Sequence, residues 1–495
     1  MMYGEEKSDS LIVAANLANN PQGAESVERR SGAKGNAEQP HMRRTQSRES
    51  MSQRLSRVRE AAKQRKKERF TALFHLLTAE ALENAFLSLS RKAAAGVDGV
   101  RWKDYAENLK VNIADLHRRL HQGSYRAQPG RRHYIPKADG KQRPLGIASL
   151  EDKIVQYALV KILNAVYEND FMGFSYGFRP GRSQHNALDA LATGLVRTNV
   201  NWVLDADISQ FFDKVSHEWL IRFIEHRIGD QRVIRLIRKW LTAGTSEEGE
   251  WRASEEDTPQ GAVISPLLAN IYLHYVFDLW AHQWRRRHAT GNVVMVRYAD
   301  DIVIGFDKRI DAQCFRIAMQ RRLKEFGLTV HPKKTRLMEF GRFAAENRAS
   351  RGKGKPETFN FLGFTHISGK DRSGRFMLIR KTRRDRMTAT LKAIKDGLRK
   401  RWHYSIPEQG KWLRRVVQGY LNYHSVPGNY PMMRKFRIYV TDLWRRALRR
   451  RSQQDDTTWT KANRLAAVWL PKVRVLHPWP VERFTARHPR QEPGA

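Results

Sequence analysis

The sequence predicts an α+β fold in which short strands carry paired carboxylates and a set of helices follows them. Two apolar, β-branched runs at 293–297 and 302–306 enclose a Tyr-Ala-Asp-Asp turn and predict a tight β-hairpin. A further short strand is predicted at 203–208, again with acidic residues among apolar ones. After the last strands, apolar residues recur every three or four positions and predict three amphipathic helices.

Three aspartates in these strands predict a metal site. Asp300 and Asp301 are neighbours at the hairpin tip, where two desolvated like charges are costly unless a cation compensates them. Mg²⁺ suits such a site because it prefers carboxylate oxygens together with substrate phosphates. Asp207 lies on the separate strand, and carboxylates on two strands that hold two metal ions are the layout of a nucleotidyl-transfer site. Asp205, on the same strand face, is the rival ligand.

An Asp-Asp turn alone is more often a solvated turn than a catalytic site. The order of the surrounding motifs favours the catalytic site here. Asp207 is followed along the chain by Thr-Pro-Gln-Gly at 258–261, the Tyr-Ala-Asp-Asp turn, Gly-Leu-Thr-Val-His-Pro-Lys-Lys at 327–334 and Phe-Asn-Phe-Leu-Gly-Phe at 359–364. This series resembles the ordered motifs of reverse transcriptases. With its flanking segments, the chain from about Met51 onwards resembles bacterial group II intron-encoded reverse transcriptases with maturase function.

The resemblance implies a right-hand polymerase architecture. Fingers with a basic N-terminal extension would cover residues 51–200, the palm with the catalytic site 201–370, and a helical thumb, called domain X in maturases, 371–454. Residues 1–50 are rich in Asn, Gln, Gly, Ser and Ala and are expected to be disordered. Residues 455–495 form a short basic, aromatic segment that either binds target DNA or packs on the thumb as a strap.

The resemblance also implies roles in a polymerase site. Asp207, Asp300 and Asp301 would be the catalytic ligands of two Mg²⁺ ions, for which Mn²⁺ is a substitute. Phe212 would fill the space of a ribose 2′-hydroxyl, although either Phe211 or Phe212 must serve ordinary core packing. The residues that would contact the incoming deoxynucleoside triphosphate are Lys137, Arg143, Phe212, Gln260, Gly261 and Lys334.

The charge of the chain indicates a polyanionic partner. It has 90 lysines and arginines against 51 aspartates and glutamates, a formal net charge of +39, and such an excess favours nucleic acid. The residues predicted to bind RNA are Arg65, Lys66, Lys67, Arg69, Arg179, Arg182, Arg445 and Arg446. A solvated helix face explains the first four equally well, and structural ion pairs explain Arg179 and Arg182 equally well.

The composition argues against several other classes of site. A single cysteine, Cys314, excludes disulfides and cysteine-rich zinc sites, and it is most simply a buried small apolar residue. Without paired cysteines, the zinc-assisted His-Asn-His endonuclease of many similar proteins is not expected. No apolar stretch approaches the length of a membrane span and no basic start marks a signal peptide, so a cytoplasmic protein is predicted.

Together these patterns predict an RNA-directed DNA polymerase that binds its group II intron RNA, aids splicing and copies that RNA into DNA. Its partners would be the intron RNA, primer or target DNA and deoxynucleoside triphosphates, with no membrane and no zinc. Two alternatives stay open: a domesticated enzyme of the same chemistry in phage defence or CRISPR adaptation, and a non-enzymatic RNA-binding splicing factor. The intact acidic positions, together with Gln260, Gly261 and Lys334, argue against a decayed palm.

Overall fold

A computed structural model describes residues 41–136, 142–247, 250–252, 261–451 and 457–487. The N-terminal part is mostly helical. Its elements are α1 (His41–Gln64), a 3₁₀ turn (Phe74–Leu76), α2 (Ala79–Ser88), α3 (Trp102–Glu107), α4 (Leu109–Gln122), β1 (Gly130–Pro136), β2 (Gln142–Ile147) and α5 (Leu150–Tyr167). The antiparallel pairing of β1 with β2 confirms the predicted fingers hairpin, while its tip at 137–141 lies outside the described residues.

The palm is built on a four-stranded antiparallel sheet with the strand order β6-β7-β3-β8. The elements of this part are α6 (Gln184–Arg197), β3 (Trp202–Asp207), a 3₁₀ turn (Phe211–Lys214), α7 (His217–Glu225), α8 (Gln231–Thr242), β4 (Thr245–Glu247), β5 (Glu250–Arg252), α9 (Ser265–Leu273), a π turn (His274–Asp278), α10 (Leu279–His288), β6 (Val293–Tyr298), β7 (Asp301–Phe306), α11 (Arg309–Glu325) and β8 (Arg336–Glu339). Strands β4 and β5 instead extend the fingers hairpin in the order β2-β1-β4-β5. The predicted palm hairpin and third strand are confirmed.

Local sequence signals explain where the palm elements begin and which of their residues are buried. All residues of β6 except Tyr298, and all of β7 except Asp301, are buried, so the hairpin exposes mainly its polar end. Ser216 caps α7 by accepting a hydrogen bond from the backbone N–H of Trp219, as its position before an apolar helix predicts. Pro266 lies in the first turn of α9, where its missing N–H costs nothing.

A second core lies in the helical region that the sequence predicts to be the thumb, and we keep that name for it. The elements from the end of the palm onwards are α12 (Ala344–Ala349), β9 (Phe359–Phe361), β10 (Phe364–Lys370), β11 (Phe376–Thr382), α13 (Arg384–Arg399), α14 (Ile406–His424), α15 (Tyr430–Arg449), α16 (Trp459–Trp469) and α17 (Pro480–Arg487). The three predicted amphipathic helices are α13, α14 and α15, which pack through residues such as Ile394, Leu413 and Phe436. The helical part begins at Arg384, later than expected, because β11 pairs with β10 in the preceding stretch.

The C-terminal segment packs on the rest of the protein. Ala466 and Leu470, in and just after α16, join the thumb core, whereas Phe484 of α17 is buried in the larger core of fingers and palm. This packing favours the strap alternative for the segment, since its apolar residues cover protein surface. The acidic boundary predicted at Asp455 and Asp456 lies outside the described residues.

The structure bears on expectations for two individual segments, and the expected burial of Cys314 is wrong. Helix α1 begins at His41, inside the stretch expected to be disordered, where Met, Arg, Gln and Glu favour helix even without an apolar stripe; residues 1–40 lie outside the described residues. Cys314 is exposed, since α11 turns its other side, with Phe315 and Met319, towards the core. Among the helices described, none combines the length and the apolarity that a membrane span requires.

Candidate active site at the palm hairpin

The turn between β6 and β7 presents two carboxylates. Tyr298 pairs with Asp301, so only Ala299 and Asp300 connect the strands. Ala299 has a φ of 55°, in the left-handed region that is uncommon for a residue with a side chain. Such a conformation persists only where the surroundings enforce it, and it is typical of functional sites.

Strand β3 brings a third carboxylate to the same edge of the sheet. Asp207 is the last residue of β3 and lies directly opposite Asp301. Asp205 lies further along the strand, opposite Arg336 of β8, whose Nη2 is 3.9 Å from Asp205 Oδ2. Because Asp207 faces Asp301 across the sheet whereas Asp205 faces Val303, the strand register favours Asp207 as the partner of the hairpin carboxylates. The structure therefore brings the three predicted ligands to one end of the palm sheet.

Crowding among these carboxylates changes their protonation. Desolvation and the repulsion of Asp300 and Asp207 raise the pKa of Asp301 to about 7. Because Asp301 keeps an exposed surface, its desolvation is incomplete, and the repulsion is the cause that a bound cation would remove. Burial raises the pKa of Asp205 to about 6, against the opposing effect of Arg336.

Lys334 provides a positive charge at this edge. Its Nζ donates a hydrogen bond to Asp207 Oδ2 at 2.6 Å, and this bond raises the pKa of Lys334. The backbone N–H of His331 donates to the Asp207 carbonyl at 2.7 Å, which anchors the loop that carries the lysine. The Lys334 side chain is 64% exposed, so it can exchange the carboxylate for an anionic ligand at little cost.

The donor set suits a divalent cation, although the side chains are not gathered around one point. Within the described parts of the chain, no three His, Cys, Asp or Glu side chains converge closely enough to hold a metal ion as they stand. Burial raises the pKa of Asp301 most, and repulsion by Asp300, Asp207 and Asp205 raises it further. A cation between them would relieve this repulsion, and carboxylate oxygens are the ligands that Mg²⁺ prefers.

Phe212 and Gly261, two further residues predicted to contact the nucleotide, lie within the described part of the chain. Phe211 is buried, whereas Phe212 is half-buried and its ring centre lies 5.3 Å from that of Phe211. Of the two rings, Phe211 therefore contributes more to the core. Gly261 has a φ of 111°, and a Cβ atom there would lie 3.0 Å from the carbonyl oxygen of Gly146 in β2. Outside the described residues lie Lys137, Gln260 and the side chain of Arg143.

Six of the eight basic residues predicted to bind RNA lie in two surface regions. The first group follows α1 and is exposed throughout: Arg65, Lys66, Lys67 and Arg69. On the thumb, Arg446 is 66% exposed and pairs with Asp442 at 2.7 Å. Arg445 pairs with the same carboxylate at 3.0 Å and lies 4.9 Å from the ring centre of Trp459. Arg446 is therefore more available to a phosphate than Arg445.

Arg179 and Arg182 have structural partners. The Arg179 side chain is 2% exposed, pairs with Glu168 at 3.0 Å and donates to the Ser175 carbonyl at 2.8 Å. Arg182 donates to the same carbonyl at 3.2 Å, and burial lowers its pKa to about 10. The predicted phosphate contact of Arg179 is wrong, because its guanidinium is enclosed and already bonded. The alternative role of a structural donor describes both arginines.

A buried ion pair below the hairpin turn is missing from the sequence predictions. Arg297 in β6 and Asp278 at the end of the π turn both have fully buried side chains, which meet at 2.5 Å. The available signal was an arginine inside an otherwise apolar strand, because a buried charge requires a partner. Periodicity did not identify Asp278 as that partner.

The palm sheet and its carboxylate edge agree with the fingers and palm of a polymerase that the resemblance to reverse transcriptases implies. Residues 135–366 match the family described as reverse transcriptase (RNA-dependent DNA polymerase). The chain therefore contains a reverse transcriptase domain, with the fingers and palm that this family implies.

The chain is also similar to several known proteins, two of which are named as intron proteins. Over 206 residues the chain is 43% identical to protein YkfC of Escherichia coli (strain K12), a match that covers 41% of the chain and 54% of YkfC. Over 223 residues it is 37% identical to the group II intron-encoded protein LtrA of Lactococcus lactis subsp. cremoris, covering 44% of the chain and 37% of LtrA. It is also 29% identical over 110 residues to nuclear intron maturase 2, mitochondrial, of Arabidopsis thaliana, covering 21% of the chain and 15% of that protein.

These matches span about half or less of the length of the relatives. The predicted resemblance to group II intron-encoded proteins is confirmed.

Proposed function

We propose that this chain is an RNA-directed DNA polymerase that binds a group II intron RNA, assists its splicing and copies it into DNA during intron mobility. The observation that carries this proposal is the position of Asp207 opposite Asp301, beside the turn that holds Asp300, in a palm with a lysine at the carboxylates. The net charge of +39 supports a nucleic acid as the partner.

In this proposal the palm residues bind the metals and the nucleotide. Asp207, Asp300 and Asp301 would hold two Mg²⁺ ions, which when bound lower the pKa of the primer 3′-hydroxyl and neutralise the triphosphate. The 3′-oxygen attacks the α-phosphorus of the deoxynucleoside triphosphate, and pyrophosphate leaves. Lys334 would exchange its bond to the carboxylate for a triphosphate oxygen, while Phe212 would exclude a 2′-hydroxyl.

The fingers hairpin and the loop before α9 would complete the nucleotide site. Lys137 and Arg143 would grip the triphosphate, and Gln260 would lie against the nascent base pair. The approach of Gly261 to the Gly146 carbonyl of β2 supports this arrangement, because it makes the loop and the hairpin border the same space. The exposed basic residues after α1 and on the thumb, among them Arg446, would bind the intron RNA through its phosphates.

Replacing Asp300 tests the polymerase function directly. Asp300→Asn should lower extension of a primed RNA template by about a thousandfold, because several kcal/mol of transition-state stabilisation are lost with the metals. RNA affinity should not change, since the basic surfaces are untouched. The matched control is Asp115→Asn, an exposed carboxylate of α4 that pairs with Arg118 and should be dispensable.

Normal extension by Asp300→Asn would refute the assigned site. If the unmodified protein aided splicing but extended no primer, the non-enzymatic splicing factor would become the better reading. Neither result depends on how well the protein inserts the intron into DNA.

The raised pKa of Asp301 implies a metal affinity that depends on pH. Below about pH 7 the carboxylate holds a proton that a metal ion must displace, so affinity should rise by about tenfold per pH unit up to that point and then level off. Titration with Mn²⁺, followed by the electron paramagnetic resonance signal of the free ion, measures this without any turnover. Asp301→Asn should abolish the slope. A constant affinity below pH 7 would contradict the coupling.

A further inference from the structure

Arg297 lies beneath the hairpin turn and uses every donor that it has. Nε donates to Asp278 Oδ1 at 2.7 Å and Nη2 donates to Asp278 Oδ2 at 2.5 Å, which makes a bidentate pair. Nη1 donates to Asn270 Oδ1 at 3.1 Å and to the Ala299 carbonyl at 3.0 Å, while Nη2 also donates to Ser175 Oγ at 2.7 Å. These bonds employ all five N–H groups of the guanidinium.

The bond to Ala299 acts on the turn itself. The Ala299 carbonyl belongs to the peptide that leads into Asp300, and Ala299 holds the unusual φ of 55°. A fixed donor on that carbonyl keeps the peptide from rotating to a more common conformation. The direction in which Asp300 leaves the turn therefore depends on Arg297.

A segment from the fingers–palm junction also contacts the turn and the strand before it. We call residues 174–182 the clamp segment. The backbone N–H of Tyr176 donates to the Arg297 carbonyl at 2.8 Å. A Cβ atom on Gly177 would lie 2.3 Å from the Ala299 nitrogen, so a residue with a side chain would push the turn away.

Further polar side chains fix the clamp segment in place. Arg179 and Arg182 both donate to the Ser175 carbonyl, at 2.8 Å and 3.2 Å. Asn270 of α9 donates to the Gly177 carbonyl at 2.7 Å while its Oδ1 accepts from the arginine below the turn. Helix α9, the clamp segment and the turn are thus joined by one set of hydrogen bonds.

The π turn between α9 and α10 delivers the carboxylate of this set. It spans His274–Asp278 and ends on the residue that pairs with the arginine. Turns of this kind are rare and are frequent at functional sites. Burial, together with the charge of Arg297, lowers the pKa of His274 to about 3, so this ring adds no competing cation.

We propose that Arg297, held by Asp278, is a positioning residue for the carboxylate turn, and that the clamp segment serves this turn and not the nucleic acid. This inference rests on the proposed polymerase function. Arg297 touches no substrate; it sets the peptide before Asp300 so that the carboxylates can converge on a metal ion. Within the Phe-Ser-Tyr-Gly-Phe-Arg motif of the clamp segment, Ser175 accepts a hydrogen bond from Arg297 and Gly177 lets the backbone approach Ala299.

Arg297→Lys tests the proposal, with Arg227→Lys as the matched control. Lysine keeps a positive charge beside Asp278 but cannot make a bidentate pair and also reach the Ala299 carbonyl. Arg227 is a similarly buried arginine that pairs with Asp170 at 2.7 Å and whose other bonds go to carbonyls of the N-terminal segment. Both variants should lower the melting temperature.

Only Arg297→Lys should alter the site. We expect kcat for extension of a saturating primed template to fall by about a hundredfold, the size expected of a misplacement near 1 Å. Mn²⁺ binding without substrate should weaken, while the KM for deoxynucleoside triphosphate should stay unchanged. Arg227→Lys should keep wild-type kcat and Mn²⁺ affinity at a temperature where both variants are folded.

The experiments distinguish a failure of the proposed polymerase function from a failure of the positioning role of Arg297. If Asp300→Asn extends primers normally, the polymerase function fails. If Asp300→Asn is inactive but Arg297→Lys keeps wild-type kcat and Mn²⁺ affinity, or if both lysine variants lose activity equally, only the positioning role is overturned.

Ser175→Ala keeps the proposal testable where Arg297→Lys does not fold. It removes one of the five bonds and leaves the ion pair, so kcat should fall by about two- to tenfold with little change in melting temperature. Unchanged kcat and Mn²⁺ affinity in Ser175→Ala would then overturn the proposal.

Discussion

Two buried charge centres in this molecule differ in how completely their charges are bonded. At the first centre, Arg297 and Asp278 satisfy each other and every guanidinium N–H is used. The second centre joins Asp189 of α6, Arg380 of β11 and Arg483 of α17. There, Arg380 Nη1 lies 3.5 Å from Asp189 Oδ1, and neither atom makes a hydrogen bond within the described residues.

The difference follows from what each centre connects. The first lies within the palm and supports a turn whose geometry must be unique. The second joins a palm helix, the β9–β11 sheet and the C-terminal segment, which come from distant parts of the chain. A fully bonded buried network fixes one arrangement, whereas a partly bonded one leaves charges uncompensated at a cost in stability. We therefore expect the first centre to control activity and the second to respond more readily to perturbation.

Breaking the first centre should have the largest effect on stability. Arg297→Met leaves Asp278 buried without a cation, which should lower the free energy of unfolding by about 3–5 kcal/mol, measured by urea denaturation. Adding Asp278→Leu should restore most of this stability, since an apolar pair then replaces the ions. Primer extension should stay low in the double variant, because the Ala299 carbonyl has lost its donor. Recovery of both properties would contradict the positioning role.

At the second centre, apolar packing should matter more than the charges. Phe484 is 4% exposed, and Phe484→Ala should lower the free energy of unfolding by about 3 kcal/mol, with extension and splicing falling together. Trp459 is 44% exposed, and Trp459→Ala, the control, should cost less than about 1 kcal/mol. If Phe484→Ala kept its melting temperature and lost only insertion into DNA, the DNA-binding reading of the segment would regain support.

A fall in pH should lower the free energy of unfolding mainly through the second centre. This change should be smaller than those expected for Arg297→Met and Phe484→Ala. Burial lowers the pKa of His185, His366 and His477 near the charges of the second centre, and of His274 near Arg297 at the first. His117 and His424 are shifted in the same direction by burial. His366 is fully buried and stacks on Phe359 with 4.8 Å between ring centres. Burial and the charge of Arg380 lower its pKa to about 3.

Because that pKa lies below the ordinary value of about 6.5, the unfolded chain gains a proton that the folded chain refuses as the pH falls. The contribution of His366 to stability is therefore intact above about pH 6.5 and is lost below it, by about 1 kcal/mol per pH unit. His366→Phe keeps the stacked ring and should flatten the decline by that amount between pH 6.5 and 5.5, as measured by urea denaturation. An identical decline in both proteins would contradict the assignment.

Local patterns were enough to predict the carboxylate edge of the site. The alternation around the Tyr-Ala-Asp-Asp turn predicts the hairpin, and the short run that ends in Asp207 predicts β3, so the positions of Asp300 and Asp301 follow from neighbours in sequence. The three thumb helices were predictable for the same reason, since each carries its own apolar stripe.

Contacts between distant segments could not be predicted in this way. Asp278 lies 19 residues before Arg297 and reaches it through a π turn that a helical periodicity does not reveal. Arg179 resembles a phosphate ligand in sequence, because only the fold shows that Glu168 encloses it. Cys314 was misplaced since small apolar residues fit either side of an amphipathic helix.

The exposed position of Cys314 makes this protein well suited to fluorescence labelling. As the only cysteine in the chain, it would react with a maleimide dye at one defined place, with no other thiol to remove. The dye would lie on the outer side of α11, whose inner side packs on the palm through Phe315 and Met319. The efficiency of energy transfer between that dye and one on the primer would then report the distance from α11 to the primer as each nucleotide is added.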